Sequence, residues 1–498
     1  MIASGSAGLA GLKTVSFESL RPKAAHALIH LHGGQALVVP ADPAGSFPAD
    51  PAPLRAAVRE LAAGRADAVV FSSAAQAVHV ARVAVREGRW SAFRRAMGRT
   101  VVGAAGGAAA RELAGLGIDP DIVGKTLAGT ILVLADSARS ILAAKRAGRP
   151  VASWRLRDSV FLRACARRPT PYTPVWLMRQ AGRYMKEYRL LREQVGFLGL
   201  CRDPGLAADV TVSAAERLGT DAAIIFSDLL VVTEPLGFPV AYEKGAGPVI
   251  RGPIRRAVDV DRVRSFDPVR ELGYVYDAVR LARAALRPGL PLIGFAGAPF
   301  TVAAYLIEGG SSRDFGRTRA FLRADEGAWH ALLGRLVPVL AGHLNGQIRA
   351  GAQAVQVFDS WVGCLSPDEY RRYVLPHSRA LMRRIRRNVP VIHFGTRTGP
   401  LLELIRDAGG TVIGVDHRTP LDEARRRLGP RVAVQGTLDP GILLGSLAGI
   451  RAGARRVLAA AGRRPNGHIF NLGHGVLPDT PPEHAKALVD IVHELSAR

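Results

Sequence analysis

One repeating feature governs the last two thirds of the chain: eight short apolar runs, each separated from the next by room for at least one helix. They are Val175–Met178, Ala222–Phe226, Leu292–Phe295, Ala354–Phe358, Val389–Phe394, Thr411–Val415, Val432–Gln435 and His468–Leu472. Runs of this length read as strands. A polar or glycine-rich cluster follows nearly every one: Arg179-Gln180, Ser227-Asp228, Gly297-Ala298-Pro299, Asp359-Ser360, Gly395-Thr396, Asp416-His417, Gly436-Thr437 and Gly473-His474-Gly475. Eight strands alternating with helices is what an α/β fold of the (β/α)8 TIM-barrel type requires. Its strand C-termini open onto one mouth, where barrel enzymes keep their chemistry. A doubly wound open sheet uses the same pattern and stands as the structural alternative.

The first part of the chain has a different rhythm. Thr14–Phe17, Ala36–Val39, Ala68–Phe71 and Thr100–Gly103 are β-branched apolar runs separated by Ala- and Arg-rich stretches of helical period. Residues 40–53 are rich in proline and read as a linker or crossover. A second break falls between 146 and 174, where Arg149-Pro150 and Arg168-Pro169 flank a basic segment. The expected organisation is a smaller α/β domain over 1–150 followed by the barrel over 151–498.

The formal net charge of +25 raises the question of nucleic acid. Only 7 of the 67 basic residues are lysine, however, and an arginine bias with abundant Ala and Gly is what a GC-rich genome produces everywhere. Aromatic residues, wanted between the charges for stacking on bases, total 6%. Genome bias therefore accounts for the charge first, attraction of a polyanionic small molecule second, and no nucleic-acid partner is expected. No apolar run is long enough to span a bilayer, so no membrane association is expected. Met1 to Leu12 lacks a basic n-region, so no signal peptide is expected. Cys165, Cys201 and Cys364 lie far apart, which argues for a reducing compartment, and the expected location is the cytoplasm.

Several clusters carry chemistry. Met178-Arg179-Gln180-Ala181-Gly182-Arg183-Tyr184 sets two guanidiniums four residues apart at a strand end. Planar forks grip carboxylates through paired hydrogen bonds, so this spacing suits a ligand with several carboxylates. Two surface arginines in an Arg-rich chain would look the same. Asp228 closes the run Phe226-Ser227-Asp228 and can accept from ligand N–H groups or stabilise a developing cation; a helix N-cap is the plainer use of such a residue. Tyr305 lies between Gly297-Ala298-Pro299 and Gly309-Gly310-Ser311, a frame with neither a Walker lysine nor dinucleotide-type glycine spacing. His474 sits between two glycines at the last strand end. No dinucleotide fingerprint, Schiff-base lysine or zinc-type His/Cys cluster is visible, so no cofactor and no metal are expected.

From about Pro174 to His493 the chain resembles the uroporphyrinogen decarboxylase family. The resemblance rests on Met178–Tyr184, Asp221–Asp228, Gly294–Ser312, Gly351–Gly363, His393-Phe394-Gly395-Thr396 and Asn471–Thr480. It implies cofactor-free loss of carbon dioxide from the four acetate side chains of uroporphyrinogen III, giving coproporphyrinogen III, and a homodimer with facing barrel mouths. Carried over by motif, Arg179, Gln180, Ala181, Gly182 and Arg183 would bind substrate, and Asp228 would sit at the macrocycle centre. Tyr305, Ser360 and His474 would line the pocket with Phe358 nearby, and Asp228 and Arg179 would be catalytic. The proton donor stays open between Arg179, a water beside it and His474. Cobalamin-related zinc methyltransferases of the same superfamily are the main enzymatic alternative. Where they resemble a His-x-Cys and a late Cys, this chain reads His393-Phe394-Gly395 and Gly473-His474-Gly475, without sulfur. One departure is Thr437, where the decarboxylases usually carry Asn.

The N-terminal region looks like part of uroporphyrinogen-III synthase. The similarity runs through Leu12–Ser19, His32-Gly33-Gly34, Ala68–Ser73, Thr100–Gly103 and Gly117–Asp121. That family has two α/β lobes, and only about the first half of it is matched. The expected role is a non-catalytic remnant, with a working synthase or a protein-interaction module as alternatives.

Overall fold

The computed structural model describes residues 9–18, 22–40, 52–118, 120–124, 127–146, 156, 159–243, 247–287, 289–462 and 466–497. Most of the proline-rich stretch and the Arg149-Pro150 break lie outside them. The chain divides into two compact units, Met1–Arg157 with Ala284–Gly289, and Asp158–Arg283 with Leu290–Arg498.

In the first unit, β1 (Lys13–Glu18), β2 (Gln35–Pro40), β3 (Ala68–Phe71), β4 (Val101–Ala105) and β5 (Ile122–Gly124) form one parallel sheet of order β2-β1-β3-β4-β5. A parallel sheet must be covered on both faces, and the strand composition shows how. Val15 and Phe17 of β1 join one core with Leu54, Val58, Val80, Phe93 and Leu113 from helices on that side. Ala68, Val70 and Val101 face the other core, with Ala25, Ile29, Ile131, Leu134 and Ile141. This is a doubly wound lobe. A buried ion pair pins the long helix Leu127–Arg146 to the sheet edge: Lys145 Nζ lies 2.6 Å from Asp121 Oδ2, the two side chains 10% and 7% exposed. The ammonium also donates to the carbonyls of Met97 (2.9 Å) and Thr100 (2.6 Å), so its charge is fully met.

The second unit is built on parallel strands β6 (Ala223–Ile224), β9 (Leu292–Gly297), β10 (Ala354–Asp359), β11 (Val391–Gly395), β12 (Val412–Gly414), β13 (Ala433–Gln435) and β14 (His468–Ile469), neighbours in that order. The segment at Val175 closes the ring. It bridges Phe470 in parallel on one side, and its carbonyl accepts from Asp221 N (2.8 Å) on the other. All eight expected runs are thus staves of a barrel, and the open-sheet alternative is set aside. A short antiparallel hairpin, β7 (Val240–Glu243) and β8 (Gly247–Ile250), was not expected and rises between β6 and β9.

Polar contacts fasten the barrel at its N-terminal end and in its interior. At the N-terminal end Asp221 accepts from Tyr172 Oη (2.9 Å) and Val175 N (2.8 Å) and lies 2.7 Å from His493 of the C-terminal helix. Within the barrel, Trp176 Nε1 donates to Gln435 (2.9 Å), which donates on to Gln356 (3.1 Å). The Trp176 indole and the Gln435 amide are thus each answered by another polar group inside the barrel.

Candidate active site

The site grows from the C-terminal ends of the barrel strands. The first strand stops where Arg179 takes a left-handed backbone (φ 62°), turning the chain so that its side chain runs toward the last strand. There it lies against Gly475: a Cβ at that position would fall 2.4 Å from Arg179 Cδ. Gly473 is constrained the same way, since its Cβ would come within 2.1 Å of the His417 nitrogen. Asn471 knits the two strand ends together by accepting from Met178 N (3.1 Å), and Val476 N returns a bond to Met178 O (2.9 Å). The glycines around His474 are thus sites of close approach, which explains why the sequence holds small residues there.

Asp228 is half-buried beyond the end of β6. Its Oδ1 accepts from the Tyr242 hydroxyl (2.6 Å) and from Leu230 N (2.8 Å). Burial pushes its pKa above the ordinary carboxylate value, while the Tyr242 and Leu230 bonds and the Arg179 charge pull the other way. Arg179 is open to the solvent of the mouth yet surrounded by protein, and that crowding lowers its pKa, as does the neighbouring Arg183 charge. Tyr305, on the helix Pro299–Glu308, feels both Asp228 and Arg179, and burial holds its phenol far above the usual range. The His474 pKa is lowered to about 4 by burial and then by Arg179, so the imidazole is neutral around pH 7.

The remaining residues fall into distinct positions. Arg183 is exposed at the rim, and Ala181 and Gly182 are half-buried in the turn. Phe358 packs edge-on to Phe295 (5.5 Å between ring centres) and Phe394 (5.9 Å). Ser360 follows it at the strand end, half-buried, its carbonyl accepting from Thr396 Oγ1. Gln180 is placed differently from the expectation: it is fully buried, and its amide bonds main chain at Leu177 and Ala222 (both 3.4 Å). That side chain braces the arginine turn from within the wall and does not reach into the mouth.

Two residues escaped the sequence reading. Tyr242, which holds Asp228, sits on the unexpected hairpin rather than on a barrel strand; the alternation Val240-Ala241-Tyr242-Glu243 before Gly245 was the available signal. Trp361 lies tilted against Tyr305, with ring centres 3.8 Å apart. A lone Trp two residues past a strand end carries no comparable signal. Among the described residues, no group of three or more His, Cys, Asp or Glu side chains is placed to hold a metal ion, and no helix is long and apolar enough to cross a membrane.

Comparison with known proteins adds a family to this geometry. The family model described as uroporphyrinogen decarboxylase (URO-D) matches residues 156–495. A protein of Sorangium cellulosum named uroporphyrinogen decarboxylase is 55% identical over 336 residues, 67% of this chain and 96% of that protein. One of the same name from Carboxydothermus hydrogenoformans is 49% identical over 341 residues, covering 68% of this chain and 97% of its own length. Among solved structures, a methyltransferase from Methanosarcina mazei superposes with a TM-score of 0.56 at 20% identity, over 67% of this chain and 97% of that one. It shares the barrel fold.

Proposed function

The chain belongs to the uroporphyrinogen decarboxylase family, and from that premise we propose that its barrel removes the four acetate carboxyl groups of uroporphyrinogen III to give coproporphyrinogen III in haem biosynthesis. The observation that carries this reading is Asp228, a carboxylate held in the mouth by Tyr242 and Leu230 beside Arg179. A macrocycle seated over it would offer four pyrrole N–H donors to one acceptor. Arg179 and Arg183 would grip carboxylates at the periphery, Tyr305 and Phe358 would offer flat apolar walls, and Ser360 and His474 would complete the lining.

The chemistry follows from the substrate. A pyrrole acetate cannot simply lose carbon dioxide, because the carbanion left behind has no sink. Protonation of a ring carbon creates a cation, and the C–CO2 bond then breaks with its electron pair flowing into the ring. The exocyclic methylene so formed takes a proton to become methyl, and loss of the ring proton restores the pyrrole. Asp228 stabilises the cation electrostatically. Arg179 is the donor this reading favours, directly or through a water. The protein crowded around it lowers its pKa and the second guanidinium lowers it further, whereas His474 is already deprotonated at neutral pH. No step asks for a cofactor or a metal.

Tyr242→Phe tests the support of Asp228. Removing the hydroxyl takes away the largest influence that lowers the Asp228 pKa. The carboxylate is the active form, so its protonation on the acid side should occur at higher pH. A hydrogen bond to a charged group is worth roughly 1.5–3 kcal/mol, so the acid limb of kcat/KM should move up by about one to two pH units. An unmoved profile would remove Tyr242 from the mechanism.

We place the domain boundary near residue 150 and read residues 1–150 as a non-catalytic remnant of a synthase. A single doubly wound lobe among the described residues, against two in the synthase family, supports that reading over a bifunctional protein. The free, buried Cys165 and Cys201 suit the reducing cytoplasm, and the family resemblance carries a homodimer. One experiment tests function and organisation together. The intact chain and residues 155–498 are incubated with uroporphyrinogen III in EDTA without oxygen, and products are separated by chromatography. Both should yield coproporphyrinogen III at rates within a few-fold. Failure of both sinks the function, failure of the shorter chain alone sinks the domain reading, and cyclisation of hydroxymethylbilane by the intact chain would establish the bifunctional alternative.

A further inference from the structure

The parallel strands give the barrel a second mouth, at their N-terminal ends, away from Asp228. Between the start of β13 and the start of β14 lies a cavity of about 640 Å³, lined by Arg167, Arg425, Arg426, Asn466, Val432 and Val434. That volume is within the range of roughly 300–1,000 Å³ used by small-molecule sites. None of the described residues that line it carries a carboxylate.

The arginines are not random surface charge. Arg425, Arg426 and Arg427 are consecutive on the helix Leu421–Leu428. Arg427 is fully engaged: its Nε and Nη2 donate to Glu403 (2.7 Å each) and its Nη1 donates to Glu423 (3.1 Å). Arg425 and Arg426 line the cavity instead, and among the described residues neither has an acidic partner. Arg426 is exposed and costs little there, but Arg425 is half-buried. A guanidinium withdrawn from water without a counter-charge is unfavourable, and burial lowers its pKa accordingly. The wall opposite is fixed, because Arg167 donates to Pro430 O (2.7 Å) and so holds the rim loop before β13. Two guanidiniums without an acidic partner among the described residues, a rim amide and two valines thus line one cradle.

We propose that this cavity is a binding site for a small organic oxyanion carrying a phosphate or two or more carboxylates. The guanidiniums of Arg425 and Arg426 take the oxyanion and Val432 and Val434 face its carbon skeleton. Forked donors match both headgroups, and the ligand neutralises a half-buried charge that has no acidic partner among the described residues. The site is separate from the catalytic mouth and independent of which reaction that mouth performs.

Calorimetric titration of the intact chain with pyrophosphate and, separately, with citrate tests this and distinguishes the two headgroups. At least one should bind at one site per chain. Arg425→Gln should weaken that binding about tenfold or more, with Arg426→Gln as the milder second variant. Arg179→Ala, in the catalytic mouth, should leave it unchanged. A circular dichroism spectrum and melting temperature of Arg425→Gln equal to the parent's show that the variant is folded. Failure of both probes to bind overturns the proposal. So does binding that survives both arginine-to-glutamine changes, or binding that disappears in Arg179→Ala. Because no titration involves uroporphyrinogen, these outcomes are separable from failure of the decarboxylase reading.

Discussion

Asp228→Asn should reduce kcat about a hundredfold to a thousandfold while leaving the fold and the substrate's carboxylate contacts in place. The amide is isosteric and can keep the Tyr242 and Leu230 contacts through its oxygen (2.6 and 2.8 Å in the parent). What it loses is the negative charge that balances a protonated pyrrole, and removal of one preorganised stabiliser of this kind costs about 2–4 kcal/mol in the transition state. The half-buried setting strengthens the effect, because solvent replaces the missing charge poorly there. Single-turnover measurements with the variant would separate this loss from weaker binding. Turnover near the parent's rate would remove Asp228 from catalysis and reduce it to a support for the loop at Leu230.

The second large effect is expected from Arg179→Lys. Charge is conserved, so a residue that merely sets the potential of the mouth would tolerate the change. Arg179 is placed to do more: its backbone is in the left-handed region, its stem lies on Gly475, and its guanidinium is near both Asp228 and Tyr305. Lysine offers a point charge where a planar fork is needed. Loss of paired, charge-assisted hydrogen bonds worth roughly 1.5–3 kcal/mol should lower kcat/KM about tenfold to a hundredfold, most of it in KM. Arg183, exposed at the rim, should lose less from the same change. Unchanged kinetics in both variants would return the pair to ordinary surface charge.

The barrel was legible because its strands are covered on both faces and therefore must be continuous apolar runs; Ala354–Phe358 is the plainest, with Ala354, Val355, Gln356 and Val357 all buried. The polar ends of those runs marked the mouth for the same topological reason. Three features were hidden, each for a physical cause. The strand Ile122–Gly124 is three residues long, too short for any periodicity. Tyr242 reaches Asp228 from a hairpin 14 residues onward, a contact set by where the hairpin folds back. Gln180 stands beside Arg179 in the motif, but the turn that swings the arginine outward drives its neighbour into the wall, where it finds Ala222. Adjacency in a motif does not imply a shared direction.

A crystal structure of the intact chain grown without oxygen with coproporphyrinogen III bound would test directly whether the macrocycle is centred over Asp228. The pyrrole nitrogens should lie within about 3 Å of the Asp228 carboxylate, in ordinary hydrogen-bond range, with propionates reaching Arg179 and Arg183. A product bound with its nitrogens turned away from Asp228, or seated outside this mouth, would contradict it.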